Sequence, residues 1–169
     1  MKLASVDWAR WVPDDVVAIT YVLQHERLLL IEKKRGLGAG KVNAPGGRLD
    51  PGETPAEAAA RELTEEVGLQ VVGPLERRAE HRYQFVSGLR LHLHAFVATS
   101  VTGTVIETDE AAPFWVNRAE VPLDRMWADN ALWVPRVLAG EHAVGRFVFE
   151  GDAMLDHTLE VAPRLLSLR

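Results

Sequence analysis

The segment Thr54 to Gly68 constrains this chain more than any other stretch, because it carries start and stop signals for a helix together with two chemically opposed faces. Thr54 suits an N-cap, Pro55 suits the first helical position, and Glu57 completes a capping box. Gly68 stops the helix, since glycine tolerates the left-handed backbone that closes a helical C-terminus. At about 100° per residue, Ala56, Ala60, Leu63 and Val67 fall along one apolar stripe, so the helix is expected to pack on a sheet. Glu62, Glu65 and Glu66 gather on a neighbouring face, with Ala58 one turn earlier leaving room for a close-passing loop. Like-charge pairs at such spacing cost roughly 0.2–0.5 kcal/mol each on a bare helix, so something cationic should compensate. Taken alone, an acidic triplet is most often a solvated face. Carboxylates so spaced also suit a hard divalent cation that keeps some waters and bridges to phosphate oxygens.

The rest of the chain supplies the sheet. Val16 to Leu23 and Arg27 to Lys33 are apolar runs rich in β-formers, separated by Gln24-His25-Glu26, which predicts an antiparallel hairpin. Gly36 to Gly47 holds five glycines and a proline and reads as a long loop with close backbone approach. His81 to Phe85, Leu89 to Ser100 and Pro113 to Val116 read as strands, as do Arg146 to Phe149 and His157 to Val161 in the tail. Asn130 to Ala139 reads as a short helix that tolerates Pro135 only near its start. Residues 1–15, with Trp8 and Trp11, form an extension, irregular or with one strand, over a core edge; residues 16–169 form one domain.

Composition sets outer limits. A chain of 169 residues, 47% hydrophobic and 25% charged, is long enough to bury one core. No apolar run approaches the roughly 20 residues of a membrane span, and Met1 to Asp15 lacks the apolar centre of a signal peptide, so the expected location is cytoplasmic and no membrane partner is expected. Zero cysteines leave catalysis to oxygen and nitrogen groups. A net charge of −5 argues against a nucleic-acid partner, and the run Lys33-Lys34-Arg35 reads as a solvated strand end or a local attractor of phosphates.

One longer pattern reverses the bland reading of the glutamates. Gly47 to Glu53, then seven residues, then Arg61-Glu62-Leu63-Thr64-Glu65-Glu66-Val67-Gly68-Leu69 matches the Nudix signature at every defined position. Resemblance to Nudix hydrolases implies an α/β (α+β) fold: an α/β/α sandwich with a mixed β-sheet and a catalytic loop-helix-loop. It implies that Glu62, Glu65 and Glu66 bind Mg2+, with Mn2+ able to substitute, aided by the Gly46 carbonyl. One of them, or a glutamate in a distant loop, acts as the base on water. Arg61 orients the carboxylates, and Glu53 pairs with it or steadies the loop; for both, a purely structural role is about as common.

The similarity extends over about residues 16 to 162. Lys33 to Asn43, Met126 to Trp133, Gly145 to Phe149 and Leu155 to Leu159 look like the animal-type MutT homologues, which sanitise the nucleotide pool by hydrolysing oxidised purine triphosphates such as 8-oxo-dGTP to monophosphate and pyrophosphate. That resemblance adds Glu110 as a fourth metal ligand. It places Lys33, Asn43, Pro45, Gly46, Gly47, Arg48, Trp127, Asp129 and Asn130 around the substrate, Trp127 stacking on the purine and Asp129 reading its edge. Trp133, Phe85, Tyr83, Leu91 and Phe149 correspond to the apolar wall. The chain departs from the pattern where Asn130 replaces a second aspartate, Leu37 and Pro45 replace phenylalanines, and Ala18 replaces a threonine beside the base. Other readings are a Nudix hydrolase of a dinucleoside polyphosphate, nucleotide sugar or ADP-ribose, and a non-catalytic nucleotide-binding regulator. The chain is expected to act as a monomer or homodimer.

Overall fold

The computed structural model describes residues 1–163; the end of the expected 16–169 domain, residues 164–169, lies outside them. The architecture follows from strands buried on both faces. In β1 (Asp15–Gln24), Ala18, Thr20 and Val22 point to one side and Ile19, Tyr21 and Leu23 to the other, and all six are buried. A strand apolar on both faces must be central, with a layer above and below. It pairs antiparallel with β2 (Arg27–Lys33) across a turn in which His25 takes a positive φ of 56°.

The loop after β2 contains two short strands, β3 (Val42–Asn43) and β4 (Gly46–Arg48), paired to β2 and β1 respectively. Helix α1 (Pro55–Val67) follows, then β5 (Leu69–Val71), β6 (Leu75–Phe85), β7 (Arg90–Ala98), β8 (Val101–Gly103), β9 (Ala111–Asn117), helix α2 (Asn130–Leu138), β10 (His142–Glu150) and β11 (Ala153–Ala162). Nine strands form one mixed sheet in the order β11-β10-β6-β7-β1-β2-β3, with β4 beside β1 and β9 beside β2; β5 and β8 pair separately. The β1–β7 and β6–β10 pairs are parallel.

The two helices cover opposite faces. Ala58 and Ala59 of α1 pack with Ala18 and Phe96, and Leu63 and Val67 pack with Val22, Leu29 and Ile31. Trp133, Val134 and Val137 of α2 join Tyr21, Leu28 and Leu30 on the other face. Full burial of each Val, Leu or Ile side chain among these contributes about 1.5–3 kcal/mol.

Local details differ from expectation. The buried side of α1 is Ala58, Ala59, Leu63, Glu66 and Val67, whereas Ala56 is exposed and Ala60 only half-buried. The helix docks rotated from the simple stripe, which draws Glu66 inward. Thr54 does accept the Glu57 N–H at 3.2 Å, but the Glu57 carboxylate takes the Thr54 hydroxyl at 3.0 Å. Pro135 sits in the sixth of nine positions of α2, not near its start. The buried Trp133, Val134, Val137 and Leu138 hold that turn in place of the missing backbone bond.

Residues 1–14 contain no strand, only a 3-10 turn at Leu3–Ser5, and β1 begins at Asp15. They still cover the sheet. The Leu3 N–H donates to Asp156 at 2.9 Å and the Trp11 indole to Gln84 at 3.1 Å, while Arg82 and Arg146 lie over Trp11 and Trp8, each 5.4 Å from the ring centre.

Candidate active site

Helix α1 and strand β4 bring the glutamates and the glycine loop together. Arg61 is the organiser. Its Nε and one terminal nitrogen bond both oxygens of Glu53 at 2.7 and 2.9 Å; the other terminal nitrogen reaches Glu62 at 2.9 Å and Glu65 at 3.0 Å. A further bond at 3.0 Å to the Arg48 carbonyl ties the helix to β4. One planar fork thus fixes three carboxylates and the loop.

The electrostatics separate these acids. Arg61, aided by the Asp50 N–H, holds the Glu53 carboxyl down to about 2, so it is a permanent counter-charge. Burial raises Glu62 against the pull of Arg61. Burial also pushes Glu66 up to about 7, opposed by the Gly46 N–H that donates to it at 3.1 Å and reinforced by the charge of Glu62. Glu65 is mostly exposed.

The glycines fit this arrangement sterically. A β-carbon on Gly47 would lie 2.5 Å from the Glu62 carboxylate, and one on Gly46 would lie 2.2 Å from the Ala18 carbonyl. The backbone can run this close only because both residues lack a side chain.

Gly47 also lines a cleft of about 260 Å³, close to the ~300 Å³ lower bound usual for small-molecule sites. Across it stand Tyr83, Phe85, Leu91, Trp127, Trp133 and Phe149, all six of the aromatic and apolar residues expected there. Lys33, Asn43, Arg48, Asp129 and Asn130 line it as well. Trp127 is held edge-to-face by Phe85 and Phe149, with centroids at 6.1 and 5.6 Å, and the Lys41 ammonium lies 5.2 Å from its ring centre.

Asp129 is the polar centre of the cleft. It is 1% exposed, and its Oδ2 accepts from the Tyr83 hydroxyl at 2.7 Å and the Trp133 indole at 2.8 Å. Oδ1 has no hydrogen-bond partner. Burial raises the Asp129 carboxyl, an effect that these two donors oppose. A buried oxygen left unpaired at a cleft is poised for a donor on a ligand.

Other expected residues fall elsewhere. Pro45 is buried and does not line the cleft; its carbonyl accepts the Thr20 N–H at 2.9 Å within the β1–β4 edge. Gly46 likewise sits behind the wall, against Ala18 and Glu66. Ala18 faces α1 beside Ala58 and Phe96, so β1 lines the cleft through Val17 and Ile19 instead. Glu110 is an exposed residue paired with Arg35 at 2.6 Å, although its charge acts on both Glu62 and Glu66. Leu89 and Leu93 also line the cleft beyond the residues expected from the sequence, where strand alternation with Leu91 is the signal that marks them.

The carboxylate set suits a divalent cation. Its donors are all hard oxygens, and the half-buried Glu62 and buried Glu66 stay raised by burial although Arg61 compensates the first, and the Gly46 N–H and the Lys33 charge the second. A cation here would offset the burial cost that raises both groups.

A carboxylate-bearing helix facing an aromatic cleft across a glycine strand defines a metal-assisted hydrolase of the mixed-sheet sandwich class. Residues 12–137 match the NUDIX domain, and the chain belongs to that family. It is 39% identical over 147 residues to the oxidized purine nucleoside triphosphate hydrolase of Danio rerio, covering 86% of this chain and 94% of that one. The Mus musculus protein of the same name is 38% identical over 143 residues, covering 83% and 91%. Among solved structures, a MutT protein from Bacillus halodurans superposes with a TM-score of 0.75 at 27% identity, covering 86% of this chain and 97% of that one.

Proposed function

We propose that this chain is a Mg2+-dependent pyrophosphohydrolase of modified, chiefly oxidised, purine nucleoside triphosphates. It would give the monophosphate and pyrophosphate and so clean the nucleotide pool before DNA synthesis. The observation that carries this reading is the shared wall at Gly47, which touches the Glu62 carboxylate on one side and the base-sized aromatic cleft on the other. A purine seated on Trp127 would direct its phosphates past Gly47 and Arg48 towards α1. The activity for which the Danio rerio and Mus musculus relatives are named supports the same substrate class.

In this reading Glu62, Glu65 and Glu66, with the Gly46 carbonyl and Glu110, hold magnesium, for which manganese can substitute. When bound, the cation neutralises phosphate charge and lowers the pKa of a coordinated water. Arg61 and Glu53 keep the glutamates aligned. Lys33, whose field already reaches Glu66, draws the phosphate chain in. Asn43, Asp129 and Asn130 bond the base edge. Asn130 supplies both a donor and an acceptor at any pH, where an ionised aspartate would supply only acceptors. The protein would act in the cytoplasm, as a monomer or homodimer, without nucleic-acid or membrane partners. No helix among the described residues is long and apolar enough to cross a membrane.

The test is a substrate panel with saturating magnesium, ranked by kcat/KM. An oxidised or otherwise modified purine triphosphate should rank first. Preference of about tenfold or more, roughly 1.4 kcal/mol, for diadenosine polyphosphate or ADP-ribose would move the assignment to another Nudix substrate class.

A further inference from the structure

A second group of potential ligands lies on the α1 face of the sheet, apart from the glutamates. His92 and His94 alternate on β7 and so point to one side, and Glu80 of β6 stands directly opposite His94 in the antiparallel register. The His92 Nε2 lies 3.0 Å from the Glu80 carboxylate, and the two imidazole centres are 4.5 Å apart. One ligand atom from each of the three residues lies within 4.8 Å of the others. Glu80 and His94 are each 8% exposed, and the His94 Nδ1 is buried with no hydrogen-bond partner.

We infer that Glu80, His92 and His94 form a binding site for a borderline transition-metal ion, best matched by Zn2+, distinct from the all-oxygen magnesium site proposed on α1. Two imidazoles and one carboxylate are a ligand set that selects such ions over magnesium. Arg77 pairs with the second Glu80 oxygen at 2.8 Å, orienting the carboxylate as an outer partner does in established zinc sites.

A tetrahedral set has ligand atoms about 3.3 Å apart, so binding draws the three side chains inward by torsion while the paired strands stay in place. The site is separate from the glutamates: His94 pairs with Ala18 and Ala18 with Gly47, two strand spacings or roughly 10 Å across the sheet. Its effect would be to staple β6 to β7, whose other face presents Tyr83, Phe85, Leu91 and Leu93 to the cleft.

The experiment uses the tag-free full chain, stripped with chelator and desalted, then titrated with Zn2+ alone by calorimetry and with Co2+ alone by visible absorption. The wild type should take up Zn2+ at this site and give a low-symmetry Co2+ spectrum with nitrogen ligands. The Glu62→Gln/Glu66→Gln double variant should retain that binding. His94→Ala and, at the more accessible position, His92→Ala should each weaken it by about tenfold or more, with the fold confirmed by circular dichroism. Zn2+ should raise the Tm of the wild type but not of His92→Ala. Zn2+ binding lost in the glutamate double variant yet intact in His92→Ala, an octahedral all-oxygen Co2+ spectrum, or no Zn2+ uptake by the wild type would each overturn the inference.

Discussion

Gly47 and Glu62 are in such close register that a β-carbon on Gly47 would stand 2.5 Å from the carboxylate carbon and from one of its oxygens. Gly47 is outside the left-handed region, so alanine there meets only the movable end of a side chain. Gly47→Ala should therefore turn Glu62 out of place, cutting turnover by roughly 10- to 100-fold with little change in Tm. Gly46→Ala should do the reverse damage, since its β-carbon meets the Ala18 carbonyl at 2.2 Å and the Ile19 Cα at 2.7 Å. Overpacking of about 1–3 kcal/mol should lower its Tm by roughly 5 °C. Steady-state kinetics and calorimetry on the two variants check the pair, and equal Tm losses would contradict it.

Glu53 acts on the helix acids through Arg61, its bidentate bond keeping that guanidinium against Glu62 and Glu65. Glu53→Gln removes the charge that holds Arg61 and should lower magnesium affinity or kcat by about 10- to 100-fold. Glu53→Asp, which restores charge but not reach, should fall between. A magnesium titration of activity separates the two effects; a Glu53→Gln enzyme with wild-type magnesium dependence and rate would show the pair to be purely structural.

Much of this site was legible because it is local. The spacing from Gly47 to Leu69 places one helix, its cap, its stop and its acids with no knowledge of the remaining fold. What escaped is set by docking. Ala56 and Ala60 share a face with Leu63 by period, but the sheet presses on Ala58, Ala59 and Glu66 because β4 and β1 approach from that side. The same holds for Pro45 and Ala18, whose positions depend on which face of β1 meets α1 and on Thr20 bonding the loop. The tail strands read short because Ala143 and Val144 continue β10 as ordinary small residues whose partners, on β6, are distant in sequence.

Stability should vary with pH in a way that magnesium reshapes. Glu66 has its folded pKa raised to about 7, above the 4.5 expected when unfolded, so in metal-free protein its contribution is full below about 4.5 and lost as pH rises through 7. A bound cation favours the ionised form and cancels that loss. His81 and His94, depressed to about 3 and 4 from 6.5, act oppositely, their contribution being lost as pH falls below 6.5. The Tm gain that magnesium gives the metal-free protein should therefore widen from about pH 5 to about pH 7 and then level off, because the histidine terms are common to both samples. Differential scanning fluorimetry across that range reads it directly, and a gap that narrows with pH would contradict the assignment of Glu66 to the metal.

Asp129 is the shared acceptor of two buried donors, the Tyr83 hydroxyl and the Trp133 indole. Asp129→Ala leaves the Tyr83 hydroxyl and the Trp133 indole without their acceptor in a site that is 1% exposed at Asp129. Each orphaned donor costs about 1–3 kcal/mol, so Tm should fall by roughly 5 °C or more and the cleft wall should loosen. Asp129→Asn keeps one carbonyl oxygen for both donors and should hold most of the Tm, but it changes the unpartnered Oδ1 into an amide that donates. Its effect should fall on KM and on the ranking of purine substrates. Trp127→Ala gives the complementary result: it removes base stacking worth about 1–3 kcal/mol, so KM rises about tenfold or more whatever the base modification. Measured side by side, a KM change without a shift in base ranking for Asp129→Asn would assign Asp129 to the scaffold and leave base discrimination to Asn43 and Asn130.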